Sequence, residues 1–182
     1  MAQREALRDL QSRLAERLKQ ARAGEGRQGW LAVEAAGQGI LLPLEQAGEI
    51  FPLGEILPLP HAQAWFCGVS NLRGGLHGVV DLGTFLGLRG AAPSEPQARE
   101  GARLVALNPA LRALCALRID RMAGLRQAQD LVEVPAQAQR PAFAGRLWRD
   151  AAGRLWQELD LAELAASEVF LSIAANDATD VT

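Results

Sequence analysis

Metal-binding and disulfide-forming side chains are scarce in this chain of 182 residues, which has two cysteines and two histidines. A structural metal needs about four ligands at suitable spacing. Cys67, Cys115, His61 and His77 are the whole supply of these two residue types, and they form no CxxC or HxxxH pair. We therefore expect no metal site. We also expect the two cysteines, which lie inside apolar segments, to be free thiols rather than a disulfide.

Strong charge of one sign and long apolar runs are also lacking. The formal net charge is -2, which argues against a chain whose whole purpose is nucleic-acid binding. No apolar run is long enough to span a bilayer, and acids interrupt the N-terminal region where a secretory signal would need an apolar core. These absences predict a cytoplasmic protein without direct membrane insertion, and any membrane association would come through a partner.

What is present is a series of short apolar runs separated by turn residues. Hydrophobic residues make up 49% of the chain and charged residues 22%, as in ordinary folded domains. The length suffices for one well-buried domain. Runs of strand length at close intervals predict a mainly β chain built as small barrels or a sandwich; they lie at 30–33, 38–44, 65–69, 76–82, 103–107, 113–119, 120–125, 131–134, 145–149 and 154–159.

Helical periodicity is confined to a few segments. Leucines at positions 7, 10, 14 and 18 recur at helical spacing, which predicts an amphipathic helix within residues 1–24. We expect its leucine stripe to pack on the domain, with docking on a partner as the alternative and membrane-surface binding as a weaker third. Short helices are predicted at 82–88, ended by Gly90, and at 161–170. Residues 51–60, with three prolines, and 89–101 read as connections.

The most informative stretch runs from Trp65 to Leu88. Two apolar runs flank a polar knuckle, Asn71-Leu72-Arg73-Gly74-Gly75. Asn71, Gly74 and Gly75 are of the types that adopt positive φ at low cost, so the backbone can reverse there. The pattern predicts two strands joined by a tight bend that holds Arg73 on its rim.

The same stretch, GVSNLRGGLHGVVDLGTFLGL, resembles the central signature of CheW-like domains, the coupling proteins of bacterial chemotaxis arrays. That signature reads approximately G-V-x-N-x-R-G and then P-V-[IV]-D-L before a short helix. A Trp-Phe pair before the signature and a preceding helix are similar to the PilI-like members, which serve type IV pilus (twitching motility) systems. The match extends to further motifs in the same order: Leu42-Pro43-Leu44, Glu49-Ile50, Pro58-Leu59-Pro60 and Leu159-Asp160-Leu161.

The resemblance implies a fold and a role. The fold would be two small five-stranded SH3-like β-barrels packed around a shared apolar core, spanning residues 28–172, with a flexible tail at 173–182. The role would be a non-enzymatic adaptor in two-component signal transduction. Its partners would be the regulatory domain of a CheA-type histidine kinase and the cytoplasmic tip of a methyl-accepting chemoreceptor. No cofactor is implied.

The resemblance also assigns site residues. Partner binding would fall to Glu49, Ile50, Asn71, Arg73 and Gly74, with Arg73 pairing a carboxylate or helix-end carbonyls. An alternative role for Arg73 is to pin the bend by bonding local carbonyls. The structural positions would be Gly68, Gly75 and Asp81, and Asp81 is expected to cap the following helix. The chain departs from the family pattern at His77 and at Gly78, where many members have proline, which makes this strand more flexible.

The residues allow two other function classes, which they favour less. A small cysteine-dependent hydrolase would use Cys67 with His77, but Cys67 sits among bulky apolar neighbours without an evident base to lower its pKa. A β-barrel nucleic-acid module is disfavoured by the charge balance. The glycine-bearing bend lacks the GxxxxGK[ST] pattern of a phosphate-binding loop.

Overall fold

The computed structural model of the protein describes residues 29–90, 100–136 and 139–174. The helix predicted within residues 1–24 lies outside these ranges. So do residues 91–99 of the predicted connection and the tail from residue 175 onward.

Eleven strands in the described ranges form two sheets, one of six strands and one of five. The six-stranded sheet has the order β8-β1-β2-β11-β10-β9, and the five-stranded sheet has the order β3-β6-β7-β5-β4. The larger sheet has one strand more than the resemblance implied. The strands are β1 (Gly29–Ala35), β2 (Gln38–Pro43), β3 (Ala47–Pro52), β4 (Phe66–Leu72), β5 (Gly75–Asp81), β6 (Arg103–Leu107), β7 (Cys115–Ile119), β8 (Arg121–Gln127), β9 (Leu131–Val134), β10 (Ala144–Asp150) and β11 (Leu155–Leu159).

Most strand pairs are antiparallel, as expected for short connections, and two are parallel. The hairpins β1–β2 and β10–β11 form from apolar runs that were predicted as strands. The parallel pairs join β2 to β11 and β5 to β7. Residues 47–52 form the edge strand β3, which pairs with β6. The last two residues of this strand were predicted as part of a surface connection, and that prediction is wrong for them.

The α-helices that lie wholly within the described ranges are short. They are α1 (Leu82–Phe85), α2 (Leu161–Ala166) and α3 (Glu168–Leu171). The single helix predicted at 161–170 is divided at Ser167, whose extended backbone (ψ 138°) ends α2 while its side chain caps α3. The first turn after α1 contains Gly87 at φ 68°, so α1 ends earlier than the predicted terminator Gly90. None of the described helices is long and apolar enough to cross a membrane.

Three apolar clusters hold the fold together. The largest, which we call the intersheet core, joins residues of both sheets and of α2, such as Leu42, Leu117 and Leu164. A second lies within the six-stranded sheet and contains Trp30, Trp148 and Trp156. A third lies within the five-stranded sheet. Each sheet therefore has its own small core, and the two sheets share the larger intersheet core.

Candidate functional site

The central hairpin turns at a two-residue loop, Arg73-Gly74. Leu72 pairs with Gly75 across the ladder, and both loop residues have positive φ, 50° and 81°. This is the turn geometry that matches the twist of paired strands. The expectation of positive φ at Asn71 and Gly75 is wrong, because both belong to the flanking strands. Asn71 instead fixes the turn with its side chain, whose Oδ1 accepts a hydrogen bond from Gly74 N at 2.8 Å.

The turn presents Arg73 to Glu49 on the edge strand β3. Arg73 Nη2 lies 2.7 Å from Glu49 Oε1, and the two side chains are 76% and 43% exposed. Arg73 therefore bonds a carboxylate from another strand, rather than the local carbonyls of its own bend. The structure brings together two of the five residues to which the resemblance assigned partner binding.

A cleft of about 740 Å³ opens beside this ion pair. Strands β3 and β4 are the two edges of the five-stranded sheet, and the cleft lies between them. Its lining includes the predicted residues Ile50 and Asn71 as well as the ion pair itself, whereas Gly74 is not among the lining residues. The sequence reasoning missed Leu57 and Leu76, which line the cleft and are 57% and 61% exposed.

Gly68 sets the wall of this cleft. It has φ 129°, and a Cβ atom added there would overlap the carbonyl oxygen of Leu57. The close approach lets Leu57 pair with Val69 through two backbone hydrogen bonds of 2.8 and 2.9 Å. Ser70 adds a hydrogen bond from its hydroxyl to the carbonyl of Glu55. The segment after β3 thus covers the outer edge of β4.

Asp81 lies at the end of β5 with no exposed surface. Its Oδ1 accepts a hydrogen bond from Thr84 N at 2.9 Å, so it caps α1. Arg89 forks onto the same carboxylate and also contacts Asp120 at 2.7 Å. Arg118 lies 3.6 Å from it. Asp81 therefore stabilises the region through buried charge pairs as well as through the cap.

Through Asp120, Arg89 links this network to the six-stranded sheet. Asp120 Oδ2 accepts a hydrogen bond from Ala36 N, in the turn between β1 and β2. Burial alone would lower the pKa of Arg89, but hydrogen bonds and charge from Asp81 and Asp120 hold it above its ordinary value. A Cβ added at Gly83 would lie 3.0 Å from the guanidinium carbon of Arg89, so a side chain there would force Arg89 to shift. Arg89 was predicted only as the start of a connection, whereas the structure pairs its side chain with Asp81 and Asp120.

Gly78, where many family members have proline, uses a donor that proline lacks. Its N–H donates to the carbonyl of Leu114 at 3.0 Å, and a Cβ added at this position would lie 3.0 Å from the ring of Phe66. The departure from the family pattern thus adds a hydrogen bond next to the parallel pair of β5 and β7.

The geometry around Cys67 is unlike a nucleophile's site. Burial raises the pKa of its thiol, and the nearby Asp81 carboxylate raises it further. The residue paired with His77 across the ladder is Ser70, not Cys67, and His77 Nδ1 contacts the carbonyl of Gly75 at 3.0 Å. Across the residues that the structure describes, no three His, Cys, Asp or Glu side chains are grouped to hold a metal.

A second concave surface, of about 760 Å³, lies where the six-stranded sheet meets the helices. We call it the helix-side groove. Ile40 and Leu147 line it from the sheet, and Phe85, Phe143 and Val169 line it from the other side. Its walls are mainly apolar, with Arg140 and Gln157 among the polar lining residues.

Comparisons with known proteins agree with this architecture. No curated protein sequence matches the chain. Among solved structures, the scaffolding protein TtCheW from Thermoanaerobacter tengcongensis superposes with a TM-score of 0.60 at 16% identity, over 74% of this chain and 85% of that one. The CheW-like domain model matches residues 29–169, which contain both sheets and the cleft. The chain therefore belongs to the CheW-like domain family.

Proposed function

We propose that this protein is a non-enzymatic adaptor that couples a methyl-accepting chemoreceptor to a CheA-type histidine kinase. Membership of the CheW-like family supports an adaptor role in chemosensory signalling, and TtCheW is a scaffolding protein. The finer assignment is a PilI-like adaptor of a type IV pilus system that controls twitching motility. It rests on the Trp65-Phe66 pair and the leucine-bearing N-terminus.

The observation that carries the proposal is the exposed Arg73–Glu49 pair beside the cleft. A guanidinium has five N–H donors, and the contact with Glu49 leaves others for a partner's carboxylate or carbonyl groups. Leu57 and Leu76 offer exposed apolar area next to these polar groups. Apolar area with a few polar groups that fix orientation is the usual composition of a protein interface.

We assign the kinase's regulatory domain to the cleft beside Arg73 and Glu49, and the receptor tip to the helix-side groove. The groove offers Phe85, Phe143 and Val169 to the apolar stripe of a receptor helix. Holding both partners on one rigid domain raises their effective concentration for each other. Receptor motion that favours one kinase conformation is then transmitted without chemistry in the adaptor.

The cysteine-hydrolase alternative gains no support from the raised pKa of Cys67 or from the pairing of His77 with Ser70. We expect the Cys67→Ser variant to retain full coupling. Loss of coupling in a variant that remains folded would revive a chemical role for this thiol.

Kinase stimulation in a reconstituted mixture of receptor, kinase and adaptor tests the proposal. We expect Glu49→Lys to abolish most of the stimulation, because the lysine repels Arg73 and reverses the charge offered to the partner. Glu133→Lys is the matched control, since Glu133 also belongs to an exposed ion pair but lies on the other sheet. Equal stimulation by both variants would contradict the proposal.

A further inference from the structure

Three large exposed apolar side chains lie beside β1, the first strand of the described chain. Leu125 and Met122, on the edge strand β8, are 63% and 38% exposed, and Leu44, which follows β2, is 47% exposed. Leu44 N donates to the carbonyl of Gly29, the first residue of β1, at 3.0 Å. We call Leu44, Met122 and Leu125 the entry patch.

The register places the entry patch on the face of the sheet that forms the intersheet core. Leu125 pairs with Leu31, and Met122 pairs with Val33. Residues directly opposite in an antiparallel pair share a face, and both partners on β1 are buried in the intersheet core. The entry patch is thus an outward continuation of that core.

Exposed apolar residues on an edge strand invite pairing with other chains unless something covers them. Strand β8 has a neighbour, β1, on only one side in the described sheet. Gly29, between Leu44 and the end of β8, adds no side chain to shield them. The position therefore calls for an apolar cover.

The 28 residues that precede Gly29 contain apolar residues suited to cover the entry patch. Their leucines at 7, 10, 14 and 18 would fall on one side of a helix, over a length of about 16 Å at 1.5 Å per residue. Met122 and Leu125 span about 10 Å along β8 at 3.4 Å per residue. The residues between Arg22 and Gly29 can reach about 23 Å when extended, so the stripe can fold back onto β8.

We propose that the leucine stripe of residues 4–22 docks on the entry patch of its own domain. The tether supplies the stripe at an effective concentration in the millimolar range. A second copy or a separate partner would have to supply the same apolar contacts without that advantage. Docking covers the open edge of β8 and keeps it from pairing with other chains.

Thiol labelling of the full-length protein tests the docking. A cysteine introduced by Leu125→Cys is labelled with a maleimide dye in a chain with the intact stripe and in a chain that also carries Leu10→Asp and Leu14→Asp. We expect labelling about tenfold slower with the intact stripe, which corresponds to a docking free energy of about 1.4 kcal/mol. Val132→Cys, on the other edge strand and 69% exposed in the native residue, is the matched control and should label equally in both chains.

Two further observations make the test decisive. Cys115 is buried and its pKa is raised to about 12, so its continued resistance to labelling shows that each variant is folded. In a second measurement, Leu14→Cys should form a disulfide with Leu125→Cys under mild oxidation, whereas Arg13→Cys, away from the stripe, should not. Equal labelling of Leu125→Cys in both chains would overturn the proposal. So would protection that increases with protein concentration, or that appears only when kinase or receptor is added.

Discussion

The guanidinium of Arg73 lies 2.7 Å from the carboxylate of Glu49, and this contact joins the turn of the β4–β5 hairpin to the edge strand β3. The pair bridges the two edges of the five-stranded sheet at the rim of the cleft. Because both side chains are largely exposed, solvent screens their attraction. The pair therefore contributes little to the free energy of unfolding and remains available to a partner.

A charge swap separates stability from recognition at this pair. We expect Arg73→Ala and Glu49→Ala each to lower the free energy of unfolding by less than about 1 kcal/mol. The double variant Arg73→Glu with Glu49→Arg can restore the ion pair but offers reversed charges to a partner. Urea denaturation and kinase binding measured on the same samples should show near-native stability and weak binding. Restored binding would mean that the pair acts only through the fold.

Asp81→Asn tests the buried charge network. Asparagine can still cap α1 through its side-chain oxygen, so the change removes the charge and keeps the cap. Arg89 and Arg118, whose side chains are 16% and 6% exposed, would lose their common partner. We expect a loss of about 3–5 kcal/mol in the free energy of unfolding, measured by denaturation. Glu133→Gln, in an exposed pair with a 3.7 Å contact, should change stability by about 0.5 kcal/mol or less.

Gly68→Ala should be among the most damaging small substitutions in the five-stranded sheet. Its φ of 129° and the overlap of a Cβ with Leu57 combine backbone strain and a clash with main-chain atoms. We expect loss of several kcal/mol or failure to fold. Gly74→Ala is the matched control: it has φ 81° but open space around the added methyl, so about 1 kcal/mol of strain is expected. Similar thermal midpoints for the two variants would contradict this account.

Glu34 makes the free energy of unfolding depend on pH in the acid range. Burial alone would raise the pKa of this carboxyl, but hydrogen bonds and charge from Arg154 and Arg121 hold it below its ordinary value of 4.5. A lowered folded-state pKa means that the stabilisation is present above the unfolded-state value and is lost as pH falls through the folded-state value. We therefore expect Glu34→Gln to reduce stability at neutral pH and to flatten its decline below about pH 4.5. Parallel stability curves for variant and native protein would be the opposite result.

The sequence predicts the individual strands and helices better than it predicts which strands pair with each other. The apolar runs at 145–149 and 154–159 located the two strands of the β10–β11 hairpin. The parallel pairing of β2 with β11 depends on contacts between distant segments, which periodicity does not encode. The division of the C-terminal helix at Ser167 was missed because helical periodicity continues across it.

At the candidate site, the position of the turn was predicted better than its backbone conformation. The turn lies where the Asn-Gly-Gly composition placed it, yet the left-handed residues are Arg73 and Gly74, and Asn71 instead accepts a hydrogen bond from Gly74 N through its side chain. Arg89 was missed because the Ala/Pro/Gly-rich residues after it dominate that segment. The requirement that a buried Asp81 be paired with a cation could have identified it.

The most direct test of the central claim is binding of purified kinase and of receptor tip to the Arg73→Ala variant. Arg146→Ala is the control, since Arg146 also belongs to an exposed ion pair on the six-stranded sheet. We predict that Arg73→Ala weakens the kinase interaction at least about tenfold, or about 1.4 kcal/mol, while Arg146→Ala leaves it unchanged and both proteins stay folded. Native affinity of folded Arg73→Ala for both partners would contradict the assignment of the cleft beside Arg73 and Glu49 as a docking surface.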